Sequence, residues 1–308
     1  MTAEPTYNKH LASLAAIFVL GDAAIVLPTA NSGKYPLLGF IIGAATAASA
    51  YFIGLLLTRI IGKKYTSVLV CFVAAYAFYN AGLSFIRYTD FADTLLLPET
   101  SKLLIAAVFI IAAIYLATRR QEVILKLSLI SAVIAIIAII VFFLLSAKDF
   151  KAENIVVRDF PDFNELINST KPYFINIALP ALLIPVYSTL FVGKKRVCAT
   201  FSGLVTGLAL NFLCLLESLL LFGTPMAEKL SFPLAAAVST VTVGQLFTRM
   251  DGIVYCLFFM LALIKTSVCM KLAFVALSRG RPMCRSVNFA KTSGGHRDPP
   301  LRNVNLIP

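Results

Sequence analysis

The chain has 308 residues, of which 59% are hydrophobic and only 14% are charged, and its mean hydropathy is +0.87. A soluble domain carries about 25% charged residues, so this composition excludes a water-soluble globule and indicates a membrane protein. A net charge of +12 would suggest nucleic-acid binding in a soluble protein. Here the charges follow the sides of the membrane, and no nucleic-acid partner is expected.

Eight stretches are apolar enough for transmembrane helices, which need about 20 such residues each. The sequence therefore predicts an all-α integral membrane protein whose spans form one bundle within residues 1–278. The spans lie at roughly residues 11–30, 36–60, 66–86, 101–118, 122–146, 172–192, 198–222 and 252–278. Residues 279–308 are rich in Arg, Pro, Gly and Ser, which predicts a basic, disordered cytoplasmic tail.

The positive charges predict the orientation of this bundle. Grouping the 27 lysines and arginines by alternate loops places most of them on one side of the membrane, which the positive-inside rule makes cytoplasmic. Both termini then lie in the cytoplasm. The segment 222–249 fits this alternation as an outer-surface or re-entrant helix, because its apolar part is too short for a span.

The first span contains a candidate break near the midplane of the membrane. Gly21 precedes Asp22, and Pro28 follows one to two turns later. An unwound turn made by Gly21, Asp22, Ala23 and Ala24 would expose amide N–H groups, which favour an anionic ligand group. The alternative is a glycine kink beside a protonated or paired aspartate.

The sixth span contains a second candidate break. Pro180 and Pro185 lie in its interior, and each proline removes a backbone N–H from the helix. Interrupted helices at matching places in two halves of a chain indicate a transporter-type binding site at the midplane. Simple proline kinking is the alternative, because such kinks are common in membrane helices.

Three further positions carry polar chemistry inside predicted spans. Lys265 either pairs with Asp22 or takes the place of a coupling ion, or else it extends toward the inner surface by snorkelling. Tyr76 and Tyr79 are three residues apart and are predicted to share a helix face, where they line a cavity or pack as aromatics. Glu217 is predicted to be an interfacial carboxylate.

Enzymatic chemistry is not expected. The sequence contains no nucleophile motif, nucleotide loop or metal-ligand spacing, and its histidines are His10 and His296. We therefore predict no catalytic residue, no metal and no cofactor.

Four segments resemble one known family. They are the first span with Gly21 and Leu27-Pro28, the stretch YLATRRQEVILK from Tyr115, PVYSTLFVGKKR from Pro185, and FPLAAAVSTVTVGQLFTRMDGI from Phe232. Together they are similar to the endospore germination permeases, the B subunits of spore germinant receptors within the amino acid, polyamine and organocation transporter superfamily. The resemblance covers roughly residues 7–278.

The resemblance implies a LeuT-like bundle, an inverted repeat of five plus five helices with helices 1 and 6 discontinuous around the ligand. It implies that spans one, three, six and eight bind a small germinant. By position these residues are Gly21, Asp22, Ala23, Ala24, Tyr76 or Tyr79, Ala178, Leu179, Pro180, Ala181, Lys265 and Thr266. The family has ten spans, so this chain is expected to lack the last two helices. Asp22 also departs from the small or hydroxylated residue expected there, which favours an amine-bearing or cationic ligand.

The resemblance further implies a receptor subunit that binds an amino acid or related germinant and signals to A-type and C-type partner subunits. Its expected location is the inner membrane of a bacterial endospore or the bacterial cytoplasmic membrane. The alternative is a secondary transporter that moves an amino acid or amine together with protons. A third hypothesis is a truncated product without function.

Overall fold

The computed structural model describes residues 4–26, 35–61, 66–155, 162–192, 197–240 and 251–280, and within these ranges the secondary structure is helical. The helices are α1 (Glu4–Val26), α2 (Pro36–Ile61), α3 (Thr66–Phe91), α4 (Lys102–Thr118), α5 (Gln121–Ser146), α6 (Phe163–Tyr173), α7 (Leu179–Val192), α8 (Val197–Ala227), α9 (Pro233–Thr240) and α10 (Asp251–Gly280). Two π-helical segments, Ala92–Leu96 and Phe174–Ala178, extend α3 and join α6 to α7.

The helices have the length and composition of membrane spans. Among the described residues, six helical stretches are long and apolar enough to cross a membrane, and α4 is a shorter apolar helix. Large apolar side chains such as Leu103, Ile111 and Leu144 are exposed on the outside of the bundle, as expected for a surface that faces lipid. The protein is therefore an integral membrane helical bundle. Each predicted span is helical over almost all of its described residues, whereas the number of crossings and the inverted repeat stay predictions.

Helix α1 lies at the centre of the bundle. It contacts α3, α5, α7, α8 and α10 as well as the π-helical segment between α6 and α7. The contact with α8 is close because Gly203 and Gly207 are four residues apart and face α1. A Cβ atom on Gly203 would lie 2.1 Å from the backbone oxygen of Ala12. Small residues at this spacing let two membrane helices approach backbone to backbone.

The structure corrects the predicted break in the first span. Helix α1 continues through Gly21 to Val26 without interruption. A glycine weakens a helix interior by only about 1 kcal/mol relative to alanine, whereas unwinding inside lipid leaves backbone groups without partners. Pro28, the other residue behind the prediction, lies outside the described residues.

The sixth span is irregular, as predicted, but the irregularity is a change of helical register. The π-helical segment Phe174–Ala178 separates α6 from α7, and the Leu179 N–H bonds to the Phe174 oxygen five residues back. Pro180 follows directly and has no N–H to donate to the preceding turn. The helical stretch begins at Phe163, earlier than the predicted start at residue 172. The residues in between are largely polar, but Phe163, Leu166 and Ile167 give them an apolar helical face.

The segment after α8 contains a short helix, as the sequence predicted. Helix α9 packs against α8 and α10, and its Leu234, Ala237 and Val238 are buried. The rest of that segment, residues 241–250, and most of the predicted tail, residues 281–308, lie outside the described residues.

Candidate functional site

The close approach of α1 to α10 brings together two of the predicted site residues. A Cβ atom on Gly21 would lie 3.2 Å from Cδ of Lys265 and 3.4 Å from the backbone oxygen of Leu261. Gly21 therefore makes room for the lysine side chain on α10. The glycine that suggested an unwound turn serves helix packing, because any larger side chain would press on Lys265.

Lys265 lies in the interior of the bundle. Its exposed fraction is 0%, and the same holds for its neighbour Thr266. The snorkelling alternative is therefore wrong, because a snorkelling ammonium group would reach the membrane surface. The backbone of Asp22, Ala23 and Ala24 continues α1, but the predicted pairing of Lys265 with the Asp22 side chain lies outside what the structure describes.

Tyr76 connects α3 to the irregular part of the sixth span. Its hydroxyl group donates a hydrogen bond of 2.7 Å to the backbone oxygen of Leu179. Tyr79 points elsewhere, with 53% of its surface exposed on the outside of the bundle. Residues three apart are separated by about 60° around an α-helix, and this angle leaves Tyr76 half-buried while Tyr79 is exposed.

The predicted residues of the sixth span follow the π-helical segment. Ala178, Pro180 and Ala181 are buried, and Leu179 is half-buried. The segment contacts α1 and α2. Single π-helical turns within α-helices occur frequently at functional sites. The predicted residues 178–181 thus lie at the end of a π-helical turn that contacts α1.

Two buried polar atoms, one in the π-helical segment and one on α10, lack hydrogen-bond partners within the described part of the chain. They are Oδ1 of Asn176, inside the π-helical segment, and Oγ1 of Thr266, on α10. A buried threonine hydroxyl commonly bonds to the carbonyl one turn earlier, as the neighbouring Ser267 does to Leu263 at 2.6 Å. Thr266 forms no such bond. Buried polar groups without partners are rare in folded proteins and mark places where water or a ligand completes the bonding.

The chemistry of these groups fits a small zwitterion or amine. An amide oxygen such as Oδ1 of Asn176 accepts a hydrogen bond, whereas a hydroxyl group such as that of Thr266 either donates or accepts one. The Lys265 ammonium contributes a positive charge in a region of low dielectric, where electrostatic interactions are strong. An acceptor and a cation are the groups that bind an ammonium group and a carboxylate respectively, and a hydroxyl group can bind either one.

Sequence reasoning missed two buried polar residues. Asn176 lies in the apolar run FINIALPALLIP, and a polar residue within such a run was the available signal. Glu217, predicted to be interfacial, is 1% exposed and accepts a 2.8 Å hydrogen bond from Ser146. Its proximity to the end of the predicted span concealed its burial, because the sequence does not show that α5 and α9 pack against this part of α8.

Comparison with known proteins adds one match. A family model described as a spore germination protein matches residues 49–279, about three quarters of the chain. The matched residues include α3, the π-helical segment and α10, which supply Tyr76, Asn176, Lys265 and Thr266. No curated protein matches the chain.

Proposed function

The chain belongs to the spore germination permease family, and on this premise we propose that it is the membrane subunit of a spore germinant receptor. A small germinant, an amino acid or a related molecule, binds between α1, α3, the π-helical segment and α10. Binding is then signalled to partner subunits of the receptor. The chemistry is recognition, and the protein releases the ligand unchanged.

The observation that carries this proposal is the pair of unpartnered polar atoms inside the bundle, Oδ1 of Asn176 and Oγ1 of Thr266. An α-ammonium group donates to the Asn176 oxygen. The ligand carboxylate accepts from the Thr266 hydroxyl and is attracted by Lys265. A ligand that supplies the missing bonds gains free energy, because the desolvation of these groups is already part of the folded state.

The π-helical segment gives the proposed site a way to signal. A π-helical turn and an α-helical turn are two discrete registers of the same backbone, and a ligand that prefers one of them shifts their populations. Because Tyr76 on α3 bonds to Leu179 at the end of this segment, a change of register there shifts or breaks this bond and so alters the contact with α3.

The family match supports the proposed location and partners, and the positive-inside rule supports the proposed orientation. The protein resides in the inner membrane of a bacterial endospore or in the bacterial cytoplasmic membrane, with both termini in the cytoplasm. Its partners are receptor subunits of the A and C types. Cross-linking of the co-expressed subunits in vesicles tests this arrangement, and protease access to tags at the two termini tests the orientation.

Thermal stability in the presence of ligands tests the binding proposal. A ligand that binds only the folded protein raises the unfolding temperature in a saturable way. We expect such a shift from at least one member of a panel of amino acids and amines, and a weaker shift in Thr266→Val and Asn176→Leu. Tyr79→Phe is the matched control, because Tyr79 faces outward and its change leaves the site intact.

The proposal is contradicted if no member of the panel raises the unfolding temperature, either of the protein alone or of the protein co-assembled with the A-type and C-type subunits. It is also contradicted if the shift is identical in Thr266→Val, Asn176→Leu and the Tyr79→Phe control. In the second case the ligand binds elsewhere on the protein.

A second candidate function is a proton-coupled secondary transporter of an amino acid or amine. The complete burial of Lys265 favours it, because ionisable groups inside membrane bundles recur in proton relays. Uptake of labelled substrate into proteoliposomes under a pH gradient distinguishes the two functions. Net accumulation indicates transport, whereas saturable binding without accumulation indicates a receptor.

A further inference from the structure

Glu217 is buried on α8, away from the candidate ligand site. Its exposed fraction is 1%, and Ser146 at the end of α5 donates a 2.8 Å hydrogen bond to its Oε1. In the part of the chain that the structure describes, no lysine or arginine forms an ion pair with it. An acidic side chain inside a membrane bundle is costly to ionise and is retained for a purpose.

A small cavity borders Glu217. Its volume is about 10 Å³, and the other side chains that line it are apolar residues of α5, α9 and α10, among them Phe142, Leu234 and Phe258. This volume admits at most one water molecule, and a buried water needs two to four polar partners. The surface of this cavity is apolar, so the cavity offers an ionised carboxyl group no hydration.

A short segment closes over the same end of α8. We name residues 147–155 the strap. The backbone N–H of Lys151 and the side-chain amide of Asn154 both donate to the Leu220 oxygen, at 3.1 Å and 2.9 Å. Leu220 lies one turn beyond Glu217, and Ser146 directly precedes the strap. The strap is therefore held to α8 at Leu220, and the residue that precedes the strap is held at the Glu217 carboxyl group.

A local break in α8 explains why the strap fits at this position. Gly223 has a φ of +70°, a left-handed conformation that favours glycine. The change of direction there leaves the preceding carbonyl groups without their helical donors, and the strap supplies replacements. Asn154 lies against the glycine, since a Cβ on Gly223 would be 3.3 Å from its Oδ1.

Few other titratable groups surround Glu217. Cys214 lies one turn away on α8 itself and is buried, Tyr255 on α10 is buried, and Cys256 on α10 is exposed. Helix α9 has no titratable side chain, and α5 has none near Ser146. The charged residues of the strap, Lys148, Asp149, Lys151 and Glu153, are exposed to solvent. On α1, the side chain of Asp22 lies outside the described residues.

We propose that Glu217 is a proton-binding site that couples protonation to closure of the strap. With the strap closed, Oε1 accepts the Ser146 hydrogen bond and Oε2 carries the proton. When the strap lifts from Leu220, water reaches the carboxyl group and accepts the proton, which leaves a hydrated carboxylate. The proposal stands independently of the ligand site.

The direction of the pH effect follows from linkage. The closed strap binds one proton more than the open strap, so a rise in pH shifts the population toward the open state. Replacement of Glu217 by glutamine imitates the protonated form and cannot ionise. The glutamine variant is therefore expected to keep the strap closed at every pH.

Cys214 offers a built-in reporter of this opening. In a chain whose other cysteines are replaced by serine or alanine, a small water-soluble maleimide reports how often water reaches Cys214. We expect the modification rate of the reference protein, divided by that of Glu217→Gln, to rise severalfold from mildly acidic to mildly alkaline pH. The ionised Glu217 disfavours the thiolate of the neighbouring Cys214, so this direct electrostatic effect would lower the ratio at alkaline pH, and a rise in the ratio therefore reports opening. A ratio that stays constant with pH would overturn the proposal.

Infrared spectroscopy tests the proton directly. With the strap closed at neutral pH, the difference spectrum between the reference protein and Glu217→Gln should contain the carbonyl band of a protonated, buried carboxyl group. Asn154→Ala, which loosens the strap, should weaken that band and raise Cys214 modification at every pH. A carboxylate band in place of the protonated one contradicts the proposal, and this readout does not depend on the thiol chemistry.

Discussion

The Tyr76 hydroxyl and the Leu179 backbone oxygen lie 2.7 Å apart, which ties the middle of α3 to the residue that follows the π-helical segment. Leu179 precedes Pro180, which has no N–H of its own, so the bond from Tyr76 is made beside a position where the regular helical bonding is incomplete. The tertiary structure thus places a polar side chain of one span against the most irregular part of another.

Removal of the Tyr76 hydroxyl should destabilise the protein. Tyr76→Phe leaves the ring in place and deletes one hydrogen bond, and bonds of this kind between membrane helices contribute about 0.6 to 2 kcal/mol. We expect a lower unfolding temperature in detergent. Tyr79→Phe should leave it unchanged, because the Tyr79 ring faces outward. Equal effects of the two substitutions would contradict the assigned role of Tyr76.

The packing of α8 on α1 should be sensitive to a single methyl group. Gly203→Ala places a Cβ atom 2.1 Å from the backbone oxygen of Ala12, so the two helices must separate, and overpacking of this kind costs about 1 to 3 kcal/mol.

Gly82→Ala provides the matched control for this effect. A Cβ there meets nothing within 4 Å, and alanine is a better helix former than glycine by about 1 kcal/mol. We expect denaturation in detergent to show destabilisation for Gly203→Ala and a neutral or slightly stabilising effect for Gly82→Ala. A Gly203→Ala protein as stable as the parent would show that α1 and α8 pack differently.

The Gly21 position should tolerate alanine and reject valine. The nearest atom to a Cβ there belongs to the flexible Lys265 side chain at 3.2 Å, which can shift by a few tenths of an ångström. The branched valine side chain would press on Lys265 and on Leu261, with an expected cost of about 1 to 3 kcal/mol. Thermal unfolding of the two variants side by side measures the difference, and ligand shifts recorded on the same samples show whether the Lys265 position matters for binding.

Removal of the hydrogen bond between the strap and α8 should loosen the structure only around the strap. Asn154→Ala deletes the hydrogen bond to Leu220, a net contribution of about 1 kcal/mol. We expect faster hydrogen exchange at the Lys151 amide, which bonds to the same oxygen, and unchanged exchange in the middle of α10. Uniform acceleration across the bundle would mean that the strap takes part in global stability.

The positions of the helices were predictable because the membrane restricts the backbone. A polypeptide in lipid must satisfy its hydrogen bonds internally, so long apolar stretches become helices wherever they lie in the fold. The same logic identified the irregular sixth span, since a proline deletes a donor in any context. The break predicted at Gly21 was wrong because a glycine alone does not say whether it permits unwinding or the approach of another helix.

The sequence alone determined the membrane class, the places of the helices and the family, because hydropathy and motifs are properties of the chain itself. Only the tertiary structure decided which face of each helix turns inward. Tyr79 is exposed on the outside of the bundle and Glu217 is buried inside it. The sequence did not indicate this, because both the lipid side and the bundle interior of a membrane helix are apolar and the hydrophobic pattern does not distinguish them. The contacts of Gly21 with Lys265 and of Tyr76 with Leu179 join residues far apart in the chain, and such pairs are fixed by how the helices pack.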